Sequence, residues 1–306
     1  MSKITATNST TNPQNSPPII PSSEFDTLKS ILEVYRTIFD THCITQRLPV
    51  ITRIEQSPSF TKSKEPMVYV IHQGPRQATG DACFPRTLAT HEPDLARAKD
   101  LQDAYLKLNS CDFALESMIE SINSKLQGFG AKAEWLLVHA RAKFLLKYSE
   151  NDTTPWHSVF GITSANGAQF IADFTIEQFG HSRHSWFLTQ SDYLDKYTEN
   201  GERKVAPVEH QADNQQDEVE LECLLEVTLL CDELDWSALE GLGREAKVSM
   251  VAGWALDAFQ RDEELEELDI EAIQTDEETD LVMFFDDLQI SDNEANNEES
   301  HNEIDQ

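Results

Sequence analysis

Three side chains in this sequence could together perform covalent chemistry: Cys111, His157 and Asp173. A thiolate is the nucleophilic form of cysteine, a histidine can take its proton, and a carboxylate can orient the imidazole and stabilise its cation. Cys111 opens "CDFALESMIESINSKLQ", in which Cys111, Ala114, Leu115, Met118, Ile119, Ile122 and Leu126 recur at helical spacing as one apolar stripe. Asn109 or Ser110 supplies the N-cap, and Gly128 closes the far end. Cys111 therefore falls in the first turn of a helix, where unpaired amides stabilise an anion. The same place in the stripe equally suits a buried structural cysteine, since free cysteine is among the most buried residue types.

The candidate base and its partner lie in "WHSVFGITSANGAQFIADFTIEQF", residues 156–179, which reads as two strands flanking a turn. A two-residue Asn166-Gly167 turn would pair Phe160 with Asp173 and put His157 and Asp173 on opposite faces. A three-residue loop, with Gly167 in the left-handed conformation, pairs Ser164 with Ala168 instead. Val159 then opposes Asp173, and His157 becomes its diagonal neighbour on the same face, about 7–8 Å away. The hydrophobic pattern selects this second register. It alone gathers Trp156, Phe160, Ile162, Phe170, Ala172, Phe174 and Ile176 on one face, and His157, Gln169, Asp173 and Thr175 on the other. The polar face reads either as a site or as a solvated sheet surface.

Together, "SCDFALESMIESINSKLQGFGAKAEWLLV", His157 and "FIADFT" resemble the core of the transglutaminase-like superfamily, part of the papain-like thiol enzymes. That core has a cysteine opening a helix, often followed by a Phe-Ala pair such as Phe113-Ala114. The helix leads to a Leu…Gly turn, here Leu126 to Gly128 or Gly130. A histidine follows on one strand and an aspartate on the next, with a Thr two residues later as in Asp173-Phe174-Thr175. The resemblance covers residues 100–195. It implies an α+β fold in which the nucleophile-bearing helix packs on an antiparallel sheet. It also implies that Cys111 is the nucleophile, His157 the general base and acid, and Asp173 the orienting carboxylate. The implied reaction is attack on an amide or ester of a peptide, protein or small acyl substrate, followed by release to water or an amine. Gln102 and Asn109 are candidates for the oxyanion donor. His157-Ser158-Val159 stands where the family usually has His-Ala-Trp. The arylamine N-acetyltransferases share a similar His-strand-Asp run, but their Arg-Gly-Gly-x-x-Cys approach is absent.

The elements that must position these residues follow from the rest of the chain. Residues 1–23 are Ser, Thr, Asn and Pro with little to bury, and are expected to be disordered. A domain is expected over 24–244, beginning with a helix at 24–40 that carries Phe25, Leu28, Ile31, Leu32, Tyr35 and Ile38 or Phe39. Residues 66–73 read as a buried strand, 93–108 as a helix, and 219–230 as a strand or a helix. An acidic extension is expected over 245–291. It starts with a helix at 245–260 and contains the apolar cluster Leu281-Val282-Met283-Phe284-Phe285, which reads as a partner-binding segment or a docked terminal helix. A solvated tail follows over 292–306.

Charge and cysteine usage exclude several function classes. The net charge is −31, and from Glu209 onward there are 32 acidic residues against three basic ones. That field disfavours nucleic acid and anionic membranes, and it suits a basic protein as a partner for the tail. The alternative to an enzyme is thus a non-catalytic protein with the same core, acting as an interaction module through its acidic end. Five widely spaced cysteines match neither a disulfide framework nor a zinc site. His181 and His184 have no acidic or cysteine ligand at suitable spacing, so no metal and no cofactor are expected. No apolar run suits a signal peptide or a membrane span, which makes the cytoplasm or the nucleus the expected location.

Overall fold

The computed structural model describes residues 22–57, 66–86, 95–149, 156–207 and 218–260. The expectations for 1–21, for the cluster at 281–285 and for the end after 292 lie outside the described residues. Helix α1 (Ser22–Thr45) buries Leu28, Ile31, Leu32, Tyr35, Ile38 and Phe39 of the expected stripe, and it runs one turn further to bury Cys43 as well. Strands β1 (Leu48–Gln56) and β2 (Met67–Ala78) form an antiparallel pair, and α2 (Leu95–Leu106) follows. Helix α3 (Cys111–Gln127) has the expected start; of its stripe, Cys111, Ala114, Leu115, Met118, Ile122 and Leu126 are buried and Ile119 is half-buried.

Strands β3 (Lys132–Ala140), β4 (Phe144–Lys147), β5 (His157–Thr163), β6 (Gln169–Ala172) and β7 (Phe187–Thr189) come next. They are followed by α4 (Gln190–Tyr197) and β8 (Thr198–Val205). The chain ends its described course in α5 (Glu218–Asp232), the single turn α6 (Trp236–Leu239) and α7 (244–260). The stretch that read as a strand or a helix at 219–230 is therefore a helix.

The fold is α+β. Its main sheet is antiparallel throughout, in the order β7-β6-β5-β3-β8, and a smaller sheet has the order β1-β2-β4. One face of the main sheet, with Trp135, Phe160, Ile162 and Phe170, packs against α1 and α3. Phe25 of α1 meets the Phe170 ring edge-on at 5.6 Å. Helix α7 joins the same cluster through Val251, Ala255 and Phe259. The small sheet has its own core with α2, built on Ile51, Tyr69, Ile71, Leu101 and Phe144.

The β5–β6 hairpin has the three-residue loop. Phe160 pairs with Ala172, Ile162 with Phe170, and Thr163 with Gln169. Ser164 donates its amide to Ala168 O at 2.9 Å, and Gly167 takes the left-handed conformation at φ 83°. A side chain at that φ would be strained, so the glycine fixes the loop length and the loop fixes the parity of everything beyond it.

Candidate active site

Register determines what His157 can reach. His157 is the first residue of β5, paired with Val138 of β3, and Asp173 is the residue after β6. With Phe160 opposite Ala172, the two share the face of Val159 and Ile171. His157 Nε2 lies 2.9 Å from Asp173 Oδ2, and neither side chain exposes any surface. At His157, Asp173 and Thr175 the polar face is thus not a solvated one, whereas Gln169 at its far end is exposed. Helix α4 covers the buried part, and the Tyr193 hydroxyl donates to the same Asp173 oxygen at 2.6 Å. The other carboxylate oxygen, Oδ1, accepts from the Thr175 amide at 3.0 Å.

Cys111 meets this pair from α3. Its thiol lies close enough to His157 to favour a charge on the imidazole, while its own hydrogen bond goes to Asp112 Oδ1 at 3.7 Å. The amide of Gln178 lies 3.3 Å from His157 Nδ1 and donates to Thr175 Oγ1 at 2.9 Å. The Phe179 ring stands edge-on to the imidazole at 4.7 Å. These contacts, together with the Asp173 bond, fix the plane of the histidine.

The electrostatics follow from that packing. Burial opposes a charge on His157, but the Asp173 carboxylate, its hydrogen bond and the Cys111 contact outweigh it and push the imidazole up to about 10. Burial likewise works against an ionised Asp173. The His157 cation, with bonds from His157, Tyr193 and the Thr175 amide, still holds the carboxyl below its usual range. Both directions describe one buried imidazolium–carboxylate pair. The Tyr193 phenol is raised well above its ordinary value by burial and by the Asp173 charge, so it remains a donor to that oxygen.

Two further sets of contacts place the helix that carries the thiol. Asp112 accepts from the Ser158 hydroxyl, and Ser158 in turn accepts from Trp135 Nε1 at 2.9 Å. These bonds pin the first turn of α3 to β5 and β3, and they give Ser158 a structural task. Beneath the turn, Lys107 donates to Phe174 O at 2.9 Å, bonds Asp40, and reaches Glu177 Oε1 at 3.3 Å. Arg36 pairs with Glu177 at 2.5 Å, and Arg183 with Asp40 at 2.9 Å. Burial opposes the ionised Asp40, but Lys107, Arg36 and Arg183 together lower its pKa. Lys107 therefore ties the turn before Cys111 to the loop after Asp173.

Several expected placements differ. Ser110 is the N-cap residue, but its side chain makes no capping bond, and Asn109 is exposed in the left-handed conformation at φ 63°. Gly128 caps α3 with ordinary helical angles, and the left-handed turn falls at Gly130. Gln102 is committed to Asp81. His139 lies against the Trp156 ring, His181 is bonded to Arg141 O at 2.6 Å, and His184 is exposed. Among the described residues, no group of three or more His, Cys, Asp or Glu is arranged to hold a metal ion. None of their helices is long and apolar enough to cross a membrane.

Tyr193, Gln178, Lys107 and Asp112 are the site neighbours that sequence reasoning missed. Asp112 had a signal, as an acidic residue in the first turn of a helix. No protein-family model matches this chain, and neither a curated protein nor a solved structure does.

Proposed function

We propose that this chain is a transglutaminase-like thiol hydrolase or acyltransferase acting on an amide or ester through Cys111, His157 and Asp173, on a papain-like arrangement of helix and sheet. The observation that carries the reading is the fully buried His157–Asp173 pair beside a cysteine in the first turn of a helix. Nε2 of the imidazole bonds Asp173 at 2.9 Å, and the Cys111 thiol is near enough to act on the charge of the ring. A base for a thiol needs an orienting carboxylate, and Asp173 stands in that place.

The steps follow from the atoms. In its neutral form, with the ring proton on Nε2 toward Asp173, His157 takes the Cys111 proton at Nδ1, and the thiolate adds to the substrate carbonyl carbon. The Cys111 amide, at the head of α3, is the donor assigned to the oxygen that becomes negative. As the C–N or C–O bond breaks, His157 returns the proton to the departing amine or alcohol, leaving a thioester on Cys111. Water or an amine, deprotonated by His157, then attacks the thioester and regenerates the thiol. Asp173 stays ionised and holds the imidazole through Nε2.

Intact-protein mass spectrometry after exposure to p-nitrophenyl acetate tests this. An acetyl adduct that localises to Cys111 and disappears in Cys111→Ala and His157→Ala is the expected result; no adduct on Cys111 contradicts it.

A second reading is a non-catalytic interaction module on the same core. It draws on Asp112, whose Oδ1 accepts from the Cys111 thiol at 3.7 Å and so gives the cysteine a structural partner other than His157.

A further inference from the structure

Helix α5 is apolar on more sides than its packing uses. Its inner side carries Val227 and Cys231, both buried in the main core, and Thr228 donates to Ser117 O of α3 at 3.1 Å. Its outer side carries Leu221, Leu225 and Leu229, which are 46 %, 52 % and 59 % exposed. Their spacing of four residues lines them up as one row along the helix. A helix that is apolar all round belongs in an interior, and here one long side has no cover among the described residues. Single exposed leucines are ordinary, but three in register on a helix form a surface.

The border of the row is acidic. Glu222 and Glu233 are exposed beside it, Asp232 is exposed at its end, and α5 contains no Lys or Arg. We infer that this row docks an amphipathic helix of a partner protein that carries Lys or Arg beside its own apolar stripe. Charge selects this occupant over two others. A second copy would set an acidic border against an acidic border, on chains of net charge −31. The chain's own apolar cluster at 281–285 is flanked by Asp280, Asp286 and Asp287 and meets the same repulsion. A basic amphipathic helix places leucines on the row and cations on its carboxylates, which is the helix-in-groove mode of recognition with charge setting the partner. The surface lies on α5, apart from Cys111 and His157, and does not depend on the thiol chemistry.

The test uses the full chain and a fluorescein-labelled synthetic helix of leucine and lysine with its leucines on one face. The control peptide has the same composition and a scrambled order. Fluorescence anisotropy should show micromolar binding of the amphipathic peptide. Binding should be at least about tenfold weaker for the scrambled peptide, and equally weakened in Leu225→Gln/Leu229→Gln, which keeps the charge. Circular dichroism of the variant checks that the exposed substitutions leave the fold intact. No binding, or equal affinity for the two peptides or for the two proteins, overturns the proposal. Two further outcomes overturn it in favour of another occupant. One is a wild-type dimer in sedimentation velocity that the double variant dissolves. The other is a gain of about tenfold in peptide affinity on removing residues 261–306, which would assign the row to the chain's own end.

Discussion

His157 and Asp173 form an ion pair at 2.9 Å with neither side chain exposed, and Tyr193 adds a second donor to the same carboxylate oxygen. Removing the charge while keeping the shape separates these contributions. Asp173→Asn should lower the His157 pKa from about 10 by about 1–3 units, as expected for loss of an adjacent opposite charge. Tyr193→Phe should change it less, because its hydroxyl acts only through Asp173. Imidazole nitrogen NMR shifts followed against pH check both.

Stability should carry the same signature. The folded pKa of His157 is raised above the value of an unfolded histidine, so its contribution is fully present below about pH 6.5 and is lost as pH rises through about 10. Asp173 has a lowered folded pKa, so its contribution is present above the unfolded carboxylate pKa and is lost as pH falls through the folded one. The stability difference between wild type and His157→Gln, measured by urea unfolding, should therefore shrink between pH 6.5 and 10. The change is on the order of 2–4 kcal/mol.

How much of this was legible in the sequence depends on whether a feature is local. The hairpin register was legible, because Ser164 to Ala168 carries a turn signal and only one register sorts the apolar residues onto one face. The start of α3 was legible from its stripe. The cover over the polar face was not, because α4 is short, and of its side chains only Tyr193 is buried. The cation at Lys107 was equally opaque. A lysine near a helix end reads as solvated, and only the fold brings it between Asp40, Phe174 and Glu177. Gln102 read as an oxyanion donor by sequence proximity, while its helix turns it toward Asp81.

The Lys107 cluster makes its own prediction. Lys107→Met leaves Asp40 and Glu177 facing each other with one buried cation fewer, at a cost of about 3–5 kcal/mol. Lys107→Arg keeps the charge and should lose less. Urea unfolding midpoints of the two variants measure the difference.

Helix α7 is part of the core. Phe259 is buried, and its ring meets His42 edge-on at 5.4 Å. Phe259→Ala should destabilise the protein by about 3–5 kcal/mol, and Met250→Ala, on the exposed side of the same helix, by under about 0.5 kcal/mol. Thermal unfolding of both distinguishes a docked helix from an appended one.

The central claim is that Cys111 is a nucleophile served by His157. Four other cysteines are internal controls. Burial pushes the Cys43 thiol up to about 12 and Cys83 up to about 11, and it raises Cys231 as well, whereas Cys223 is half-buried. The measurement is the rate of iodoacetamide alkylation at each cysteine of the native protein at neutral pH, read by peptide mass spectrometry. Cys111 should react fastest of the five, and His157→Ala should remove most of the advantage. Cys111 reacting slowest, or at a rate indifferent to His157, would contradict that claim.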